Sequence, residues 1–221
     1  MAKKRQEDFD FGEGLVPSLY FFETDLAKQG YILIGGVDEA GRGPLAGPVV
    51  AGCVVLKPGQ RVPNVNDSKK LTENQRDVLC TIICAESQDF GVGIVEADEI
   101  DRVNIYQASK KAMLLAVEEL KNPPDFLLID AMTLEINIPQ RPLIKGDARS
   151  ASIAAASILA KTTRDRIMLW YDRQYPEYGF AGHKGYCCKQ HFEALRKHGP
   201  SPIHRITFRG VLAENCEKPA E

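Results

Sequence analysis

The stretch that decides the fold is ILIGGVDEAGRGPLAGPVV, residues 32–50. Residues 31–37 form an apolar and β-branched run, which is typical of a buried strand. Two acids, Asp38 and Glu39, follow this run, and a cluster of glycines comes directly after them. Residues 48–56 are again mostly apolar and predict a second strand. The stretch therefore predicts two neighbouring strands joined by a glycine-rich connection, with two carboxylates where the first strand ends.

Hydrophobic periodicity, capping residues and turn residues predict the other elements. Further strands are expected at residues 89–95, 126–130 and 141–144, and helices at residues 18–28, 72–85, 97–103, 105–120, 150–173 and 189–197. Residues 175–185 are rich in Pro, Gly and aromatic side chains and are expected to form a loop. The order of these elements predicts an α/β domain with a mixed sheet, antiparallel at its start and parallel later.

The composition fits a globular protein rather than a membrane or secreted one. The chain has 221 residues, of which 44% are hydrophobic and 26% are charged. No apolar run approaches the roughly 20 residues that a membrane helix needs. Residues 1–10 are polar and lack the apolar core of a signal peptide. Six cysteines without a secretion signal indicate reduced thiols, so we expect a cytoplasmic protein.

The net charge of −2 hides an uneven distribution along the chain. Residues 1–139 contain 14 Lys/Arg and 22 Asp/Glu, whereas residues 140–210 contain 13 Lys/Arg and 5 Asp/Glu. Basic residues that share a face are typical of a surface that binds a polyanion. A solvated helix surface explains the same excess equally well, so charge alone leaves both interpretations open.

Two further acids lie at the ends of predicted elements. Asp130 ends the apolar run of residues 126–130, and Asp147 precedes the long predicted helix. Active sites in α/β sheets gather at the carboxyl ends of strands, so Asp38 and Asp130 are candidate site residues. Converging carboxylates repel one another unless a cation lies between them, and their hard oxygen atoms suit Mg²⁺ or Mn²⁺. For any single acid, a capping or loop role remains the simpler interpretation.

The glycine-rich connection is a candidate ligand-binding loop. Gly41 and Gly43 allow the backbone to approach a ligand closely, and Arg42 between them can donate a forked pair of hydrogen bonds to a phosphate or sugar. The alternative is a tight connection between two strands. A nucleotide-binding P-loop is rejected, because Arg42 and Gly43 replace its Lys and Ser/Thr.

Together with motifs further along the chain, these residues resemble the bacterial ribonuclease HII family, the type 2 ribonucleases H. The matching motifs include DSKKL at 67–71, LID at 128–130, KGD at 145–147, IAAASI at 153–158 and HKGY at 183–186. The resemblance implies a ribonuclease-H-like fold, that is, a five-stranded mixed sheet flanked by helices with a C-terminal helical extension. It implies a catalytic domain at 31–210 whose basic helical part begins near residue 160, between a lead-in at 1–30 and a tail at 211–221.

The resemblance also implies roles for individual residues. Four acids would be catalytic and would bind Mg²⁺ or Mn²⁺, two ions during catalysis: Asp38, Glu39, Asp130 and Asp147. Four residues would recognise the ribose 2′-OH where RNA passes into DNA: Gly41, Arg42, Gly43 and Tyr186. Position and charge make four more residues candidate phosphate contacts: Lys69, Lys145, His183 and Lys184. For Lys69, a solvated charge before a capped helix is an equal alternative.

The function that the resemblance implies is an endonuclease. It would hydrolyse the RNA strand of RNA/DNA hybrids, nick duplex DNA 5′ to single embedded ribonucleotides, and leave 3′-hydroxyl and 5′-phosphate ends. We expect a monomer that acts in DNA repair and replication away from membranes, with no protein partner indicated. Two alternatives are a hybrid-binding module without catalysis and another nuclease of the same broad fold. The glycine loop and Tyr186 favour the ribonuclease, because reading a 2′-OH is useless to an enzyme that cuts only DNA.

Overall fold

The computed structural model describes residues 18–63, 65 and 71–212. Its strands are β1 (Ile34–Ala40), β2 (Val49–Val55), β3 (Asp89–Val95), β4 (Phe126–Asp130) and β5 (Gln140–Leu143). Its helices are α1 (Phe21–Lys28), α2 (Glu73–Glu86), α3 (Ala97–Val103), α4 (Ile105–Glu118), α5 (Ala151–Gln174), α6 (Phe180–His183) and α7 (Lys189–His198). Single 3₁₀ turns lie at Gly146–Ala148 and Pro176–Tyr178. No helix in this part of the chain is long and apolar enough to cross a membrane.

The five strands form one mixed sheet in the order β3-β2-β1-β4-β5. β1, β2 and β3 pair antiparallel, which their short connection permits for β1 and β2. β4 is parallel to both β1 and β5, and the chain crosses over from β3 through α3 and α4 before it returns to the sheet beside β1. The predicted mixed sheet, antiparallel first and parallel later, is confirmed.

Helices cover both faces of the sheet. Buried side chains of α4, including Met113, pack on one face with inward residues of β1 and β2. On the other face α5 and α2 pack together. The approach of α5 to β1 is close, because a Cβ on Gly36 would lie 2.1 Å from the carbonyl carbon of Ser152. The sheet centre is therefore buried on both sides, as parallel strands require.

Helix α1 belongs to the same packed core. Its Phe22 and Leu26 are buried with Leu128 and other residues of the sheet and of α5. The Glu23 carboxylate accepts hydrogen bonds from Ser150 Oγ at 2.6 Å and from the Ser152 backbone N–H at 2.9 Å. α1 thus holds the beginning of α5. The domain division at residue 30 stays a prediction.

Most predicted element ends lie within two residues of the observed ones, and α2 begins after the Thr72 cap as expected. The first strand differs: it was predicted at residues 31–37 but runs from Ile34 to Ala40. It starts late because the N–H groups of Ile32 and Leu33 donate to the Asp125 carboxylate instead of to a strand. It ends late because pairing with β2 continues to Ala40. The two acids therefore lie inside β1, and the prediction that they follow the strand is wrong.

The chain after α7, residues 199–212, is here called the C-terminal segment. It runs beside residues 41–48, called the glycine loop below. The Arg205 N–H donates to the Leu45 carbonyl at 2.9 Å, and the Gly47 N–H donates to the Ile203 carbonyl at 2.8 Å. These contacts connect two parts of the chain that are more than 150 residues apart and place the glycine loop between the sheet and the C-terminal segment.

Candidate active site

Two of the candidate acids meet at one edge of the sheet. β1 and β4 are parallel, and Val37 pairs with Ile129, so the next residues, Asp38 and Asp130, are neighbours across the two strands. Asp38 is 5% exposed, and Asp130 is half-buried at the end of β4. The sequence places apolar residues before each acid, and the sheet buries those residues. The result is a pair of carboxylates at the carboxyl ends of adjacent parallel strands.

Asp147 joins this edge through the backbone of its neighbour. The Gly146 N–H donates to Asp130 Oδ1 at 2.6 Å, which ties the 3₁₀ turn that carries Asp147 to β4. Lys145 before it adopts a left-handed conformation with φ of 55°, which makes the turn possible. Asp147 itself is 5% exposed. The turn that carries the third acid is therefore held against Asp130.

Glu39 does not lie on the same face of the sheet as Asp38. β1 continues through both residues, so their side chains leave opposite faces of the strand. Glu39 Oε1 forms an ion pair of 3.3 Å with Arg42 Nη1 beyond the turn. Glu39 Oε2 is buried and has no hydrogen-bond partner among the residues that the structure describes. An unsatisfied carboxylate oxygen of this kind is a ready ligand for a cation or for substrate.

The acids raise one another's pKa. Burial raises the pKa of Asp38 well above its usual value, and the charges of Glu39 and Asp130 raise it further, while a hydrogen bond with Ser157 opposes the shift. Burial also raises the pKa of Glu39, which the Arg42 guanidinium lowers and the Asp130 charge raises. The ionised cluster is therefore destabilised by repulsion, which a divalent cation would relieve.

The donor set fits a hard cation, although the side chains are not yet gathered around one point. Among the described residues, no group of three or more His, Cys, Asp or Glu side chains is arranged to hold a metal ion. Carboxylate oxygens are nevertheless the ligands that Mg²⁺ and Mn²⁺ prefer, and Glu39 Oε2 is unsatisfied. Binding would require some of the carboxylates to rotate toward a shared ion.

The glycine loop presents part of itself to solvent beside Tyr186. Gly41 is buried with φ of +97°, whereas Arg42 and Gly43 are exposed. A Cβ on Gly43 would lie 3.9 Å from the Tyr186 ring, and Tyr186 is 43% exposed. The structure thus brings together the four residues predicted to read a ribose.

The predicted phosphate contacts differ in their surroundings. Lys145 is exposed at the edge that carries the acids. The Lys184 ammonium donates to the Ala181 carbonyl and is mostly buried. His183 accepts a hydrogen bond from the Gly185 N–H at Nδ1, and its Nε2 lies 2.9 Å from the Tyr178 carbonyl. Both ring nitrogens are engaged inside the fold, so this arrangement does not support a phosphate contact by His183. Lys69 lies outside the described residues.

Comparison with known proteins bears on this site. The ribonuclease HII family profile matches residues 35–211. The chain is 53% identical to a ribonuclease HII of Clostridioides difficile over 93% of this chain and 81% of that protein. The chain belongs to the ribonuclease HII family. As a family member it is a type 2 ribonuclease H, a hydrolase.

Solved structures agree with the fold of this ribonuclease HII family member. A ribonuclease H2 from Pyrococcus horikoshii superimposes with a TM-score of 0.70 at 30% identity, over 80% of this chain and 94% of that chain. A Bst ribonuclease HIII crystallised in complex with Mn²⁺ has a TM-score of 0.63 at 16% identity, over 82% of this chain and 68% of that chain. The five-stranded mixed sheet with flanking helices, predicted from the sequence, is that of the ribonuclease-H-like fold.

A buried pair of histidines that the sequence analysis missed supports Tyr186. The Ser201 N–H donates to His204 Nδ1, so the His204 proton lies on Nε2, which faces His191 Nε2 at 2.9 Å. His191 therefore donates from Nδ1 to the Tyr186 carbonyl at 2.9 Å. Burial lowers the pKa of His204 to about 4 and also lowers that of His191, so both rings are neutral at pH 7. This series of hydrogen bonds, from Ser201 through His204 and His191, fixes the backbone of Tyr186.

The sequence analysis also missed the two arginines that contact the glycine loop most extensively, Arg164 and Arg205. Both are fully buried. Arg164 lies in α5 and Arg205 lies in the C-terminal segment. No local pattern marks either residue, because their partners are more than 100 residues away for the loop contacts.

Proposed function

We propose that this member of the ribonuclease HII family is an endonuclease that hydrolyses the RNA strand of RNA/DNA hybrids and nicks duplex DNA 5′ to single embedded ribonucleotides. It would leave 3′-hydroxyl and 5′-phosphate ends. The observation that carries the proposal is the position of a repulsive carboxylate cluster directly beside the exposed Arg42 and Gly43 and the half-exposed Tyr186. A cation-binding edge and a sugar-reading loop then share one surface.

The four acids, Asp38, Glu39, Asp130 and Asp147, would hold Mg²⁺ or Mn²⁺, two ions during catalysis. Such ions supply Lewis acidity at the scissile phosphate and a water that is nucleophilic at neutral pH. The chain contributes orientation: the Gly146 N–H restrains Asp130 through Oδ1, and Ser157 hydrogen-bonds the Asp38 carboxylate. Glu39 Oε1 stays with Arg42, which leaves Oε2 as the atom available to an ion.

The glycine loop and Tyr186 would select the phosphodiester that meets these acids. The 2′-OH is the group that distinguishes a ribonucleotide from its deoxy neighbour. Gly41 and Gly43 allow backbone atoms to come close to that hydroxyl, Arg42 supplies a charged fork, and the Tyr186 ring can stack on the following deoxy sugar. Lys145, exposed beside Asp147, would contact a backbone phosphate.

This activity would place the protein in the removal of misincorporated ribonucleotides and in RNA primer processing. Its substrates would be RNA/DNA hybrids and ribonucleotide-containing duplex DNA. The basic excess of residues 140–210 supports a polyanionic substrate. We propose that it acts as a cytoplasmic monomer.

One gel tests the proposal. A labelled DNA duplex with a single internal ribonucleotide is incubated with the enzyme in Mg²⁺ or with excess chelator, beside an all-DNA duplex of the same sequence. We expect a nick on the 5′ side of the ribonucleotide in Mg²⁺ only, and no cutting of the all-DNA duplex. Turnover with all divalent metal chelated would contradict the metal mechanism. Cutting only within longer RNA runs would contradict single-ribonucleotide recognition.

Two conservative variants serve as controls for the same gel. Asp38→Asn and Asp130→Asn keep the side-chain volume and remove one negative charge each. We expect both variants to fold, judged by circular dichroism and thermal unfolding, and to lose cleavage. A folded variant that still cuts at the wild-type rate would remove that acid from the proposed metal site.

A further inference from the structure

Two fully buried arginines hold the backbone of the glycine loop. Arg205 donates five hydrogen bonds to four carbonyl oxygens, at 2.6–3.1 Å, those of Gly41, Arg42, Pro44 and Gly47. Arg164 donates three, at 3.0–3.1 Å, to the carbonyls of Ala46, Pro48 and Lys184. In the described part of the chain, every hydrogen bond that these two guanidinium groups donate goes to a backbone carbonyl. Six of the eight residues of the glycine loop are therefore bonded to one of the two arginines.

The carbonyl cage compensates charges that are costly to bury. Burial lowers the pKa of Arg164, and burial together with the Arg164 charge lowers the pKa of Arg205 to about 9. Arg205 therefore stays protonated at neutral pH. A buried guanidinium has five N–H donors to satisfy. The loop carbonyls accept five hydrogen bonds from Arg205, whereas Arg164 donates two to loop carbonyls and one to Lys184. Loop shape and arginine burial thus depend on each other.

The arrangement determines which side of the loop faces the substrate. The carbonyls of Gly41 and Arg42 point inward to Arg205, while the Arg42 side chain and Gly43 remain exposed. A Cβ at Gly41 would lie 2.1 Å from Arg164 Nε, so the glycine at this position is required by the arginine behind it. The loop therefore cannot turn these carbonyl oxygens toward the substrate, where they would repel a phosphate.

The two arginines also connect the loop to Tyr186. Arg164 bonds the Lys184 carbonyl, and its guanidinium carbon lies 5.8 Å from the centre of the Tyr186 ring. Arg205 is itself fixed by the turn that follows it, where the Asp101 carboxylate of α3 accepts from the N–H groups of Ile206 and Thr207. The glycine loop and Tyr186, the two parts of the proposed ribose-reading surface, are therefore both held by Arg164 and Arg205.

We propose that Arg164 and Arg205 are positioning residues for ribose discrimination, which hold the glycine loop and Tyr186 in the arrangement that distinguishes a ribonucleotide from a deoxyribonucleotide. The proposal rests on the proposed function, because it requires that this surface reads the 2′-OH. Neither arginine touches the substrate; both act through the backbone that does.

The test uses Arg205→Lys and, as a second variant, Arg164→Lys. Lysine keeps the charge but has three donors on one atom, so it cannot span the four carbonyls that Arg205 bonds. Binding is measured by fluorescence anisotropy in Mg²⁺, in an Asp130→Asn background that prevents turnover. Two duplexes are compared that differ in a single 2′-OH, and the readout is the Kd for the all-DNA duplex divided by the Kd for the ribonucleotide duplex.

We expect each lysine variant to reduce this ratio about tenfold, the effect of losing one charge-assisted hydrogen bond to the ribose, while the Kd for the all-DNA duplex changes less than about twofold. Arg42→Ala should reduce the ratio in the parent protein and have little further effect in the Arg205→Lys variant. If Arg42→Ala and Arg205→Lys reduced the ratio independently and additively, the proposal would be contradicted, because Arg205 would then not act through the loop.

Met113→Ala is the control for general destabilisation, because Met113 is a fully buried residue of α4, which packs on the opposite face of the sheet from α5. It should lower the Tm and leave the ratio unchanged. If the lysine variants are folded at the assay temperature and keep the parent ratio, the positioning role is wrong. If the parent protein itself shows a ratio of one, the proposed ribose reading fails instead. If one lysine variant does not fold, the other decides between these outcomes.

Discussion

Substitution of Gly36 by Ala should damage catalysis and stability together. The added Cβ would lie 2.1 Å from the Ser152 carbonyl carbon and 2.3 Å from the Ile153 nitrogen, both backbone atoms of α5. Ordinary contact begins at about 3.4 Å, so β1 and α5 must separate by about 1.3 Å, the difference between 3.4 and 2.1 Å. Backbone atoms cannot rotate away as a side chain can. The separation must therefore be a movement of the elements themselves.

That movement would disturb the acid cluster. β1 carries Asp38, and the start of α5 is bonded to the turn that carries Asp147, since the Ser150 N–H donates to the Gly146 carbonyl at 2.9 Å. A misplacement of roughly 1 Å between catalytic groups can cost about a hundredfold in rate. Overpacking of a core typically costs about 1–3 kcal/mol. For a chain of this length, about 2 kcal/mol corresponds to a fall in Tm of roughly 4–8 °C.

The assay combines denaturant unfolding with cleavage of a labelled RNA/DNA hybrid at saturating Mg²⁺, at a temperature well below the Tm of the variant. The matched control is Gly182→Ala, because in the described part of the chain a Cβ at that position would meet no atom within 4 Å beyond its chain neighbours and its own helix backbone, and its φ is not positive. The control should be neutral or slightly stabilising, since alanine favours helix over glycine by up to about 1 kcal/mol. A Gly36→Ala protein that cuts within about threefold of the wild-type rate would refute the proposed coupling between the β1–α5 contact and the acids.

Two other perturbations test the same structure. Because burial and the Glu39 charge raise the pKa of Asp38, ionised Asp38 destabilises the metal-free fold as the pH rises through that pKa. Asp38→Asn should therefore raise the free energy of unfolding at neutral pH, and this gain should vanish at low pH. Mg²⁺ should stabilise the variant less than it stabilises the wild-type protein. Urea titrations at a series of pH values measure both effects, and a gain that does not depend on pH would contradict the prediction. Glu23→Ala leaves donors of Ser150 and Ser152 without their acceptor and should cost about 1–3 kcal/mol in the same titrations, whereas Glu23→Gln keeps an acceptor oxygen and should cost less.

The candidate site was partly readable from the sequence. Apolar runs mark Asp38, Glu39 and Asp130, and Asp147 stands before a predicted helix; the family resemblance added their shared role. The fold brings Asp38 beside Asp130 and ties the turn of Asp147 to Asp130. Whether Glu39 leaves the opposite face from Asp38 could not be read, because strand pairing with β2 decides where β1 ends. The hydrogen bonds of the His183 ring could not be predicted from the sequence either, because the charge and position of a residue do not show which groups its side chain contacts in the fold.

What the sequence by itself determined is the set of elements and their class. Helix starts such as Thr72 and Ser150 and the periodicity of apolar residues depend on neighbours within a few positions, so they can be read locally. Only the tertiary structure decided how the glycine loop is held. Arg205 and the Gly41 carbonyl it bonds are 164 residues apart, and a guanidinium becomes a loop scaffold only when folding removes it from water and leaves backbone carbonyls as its acceptors.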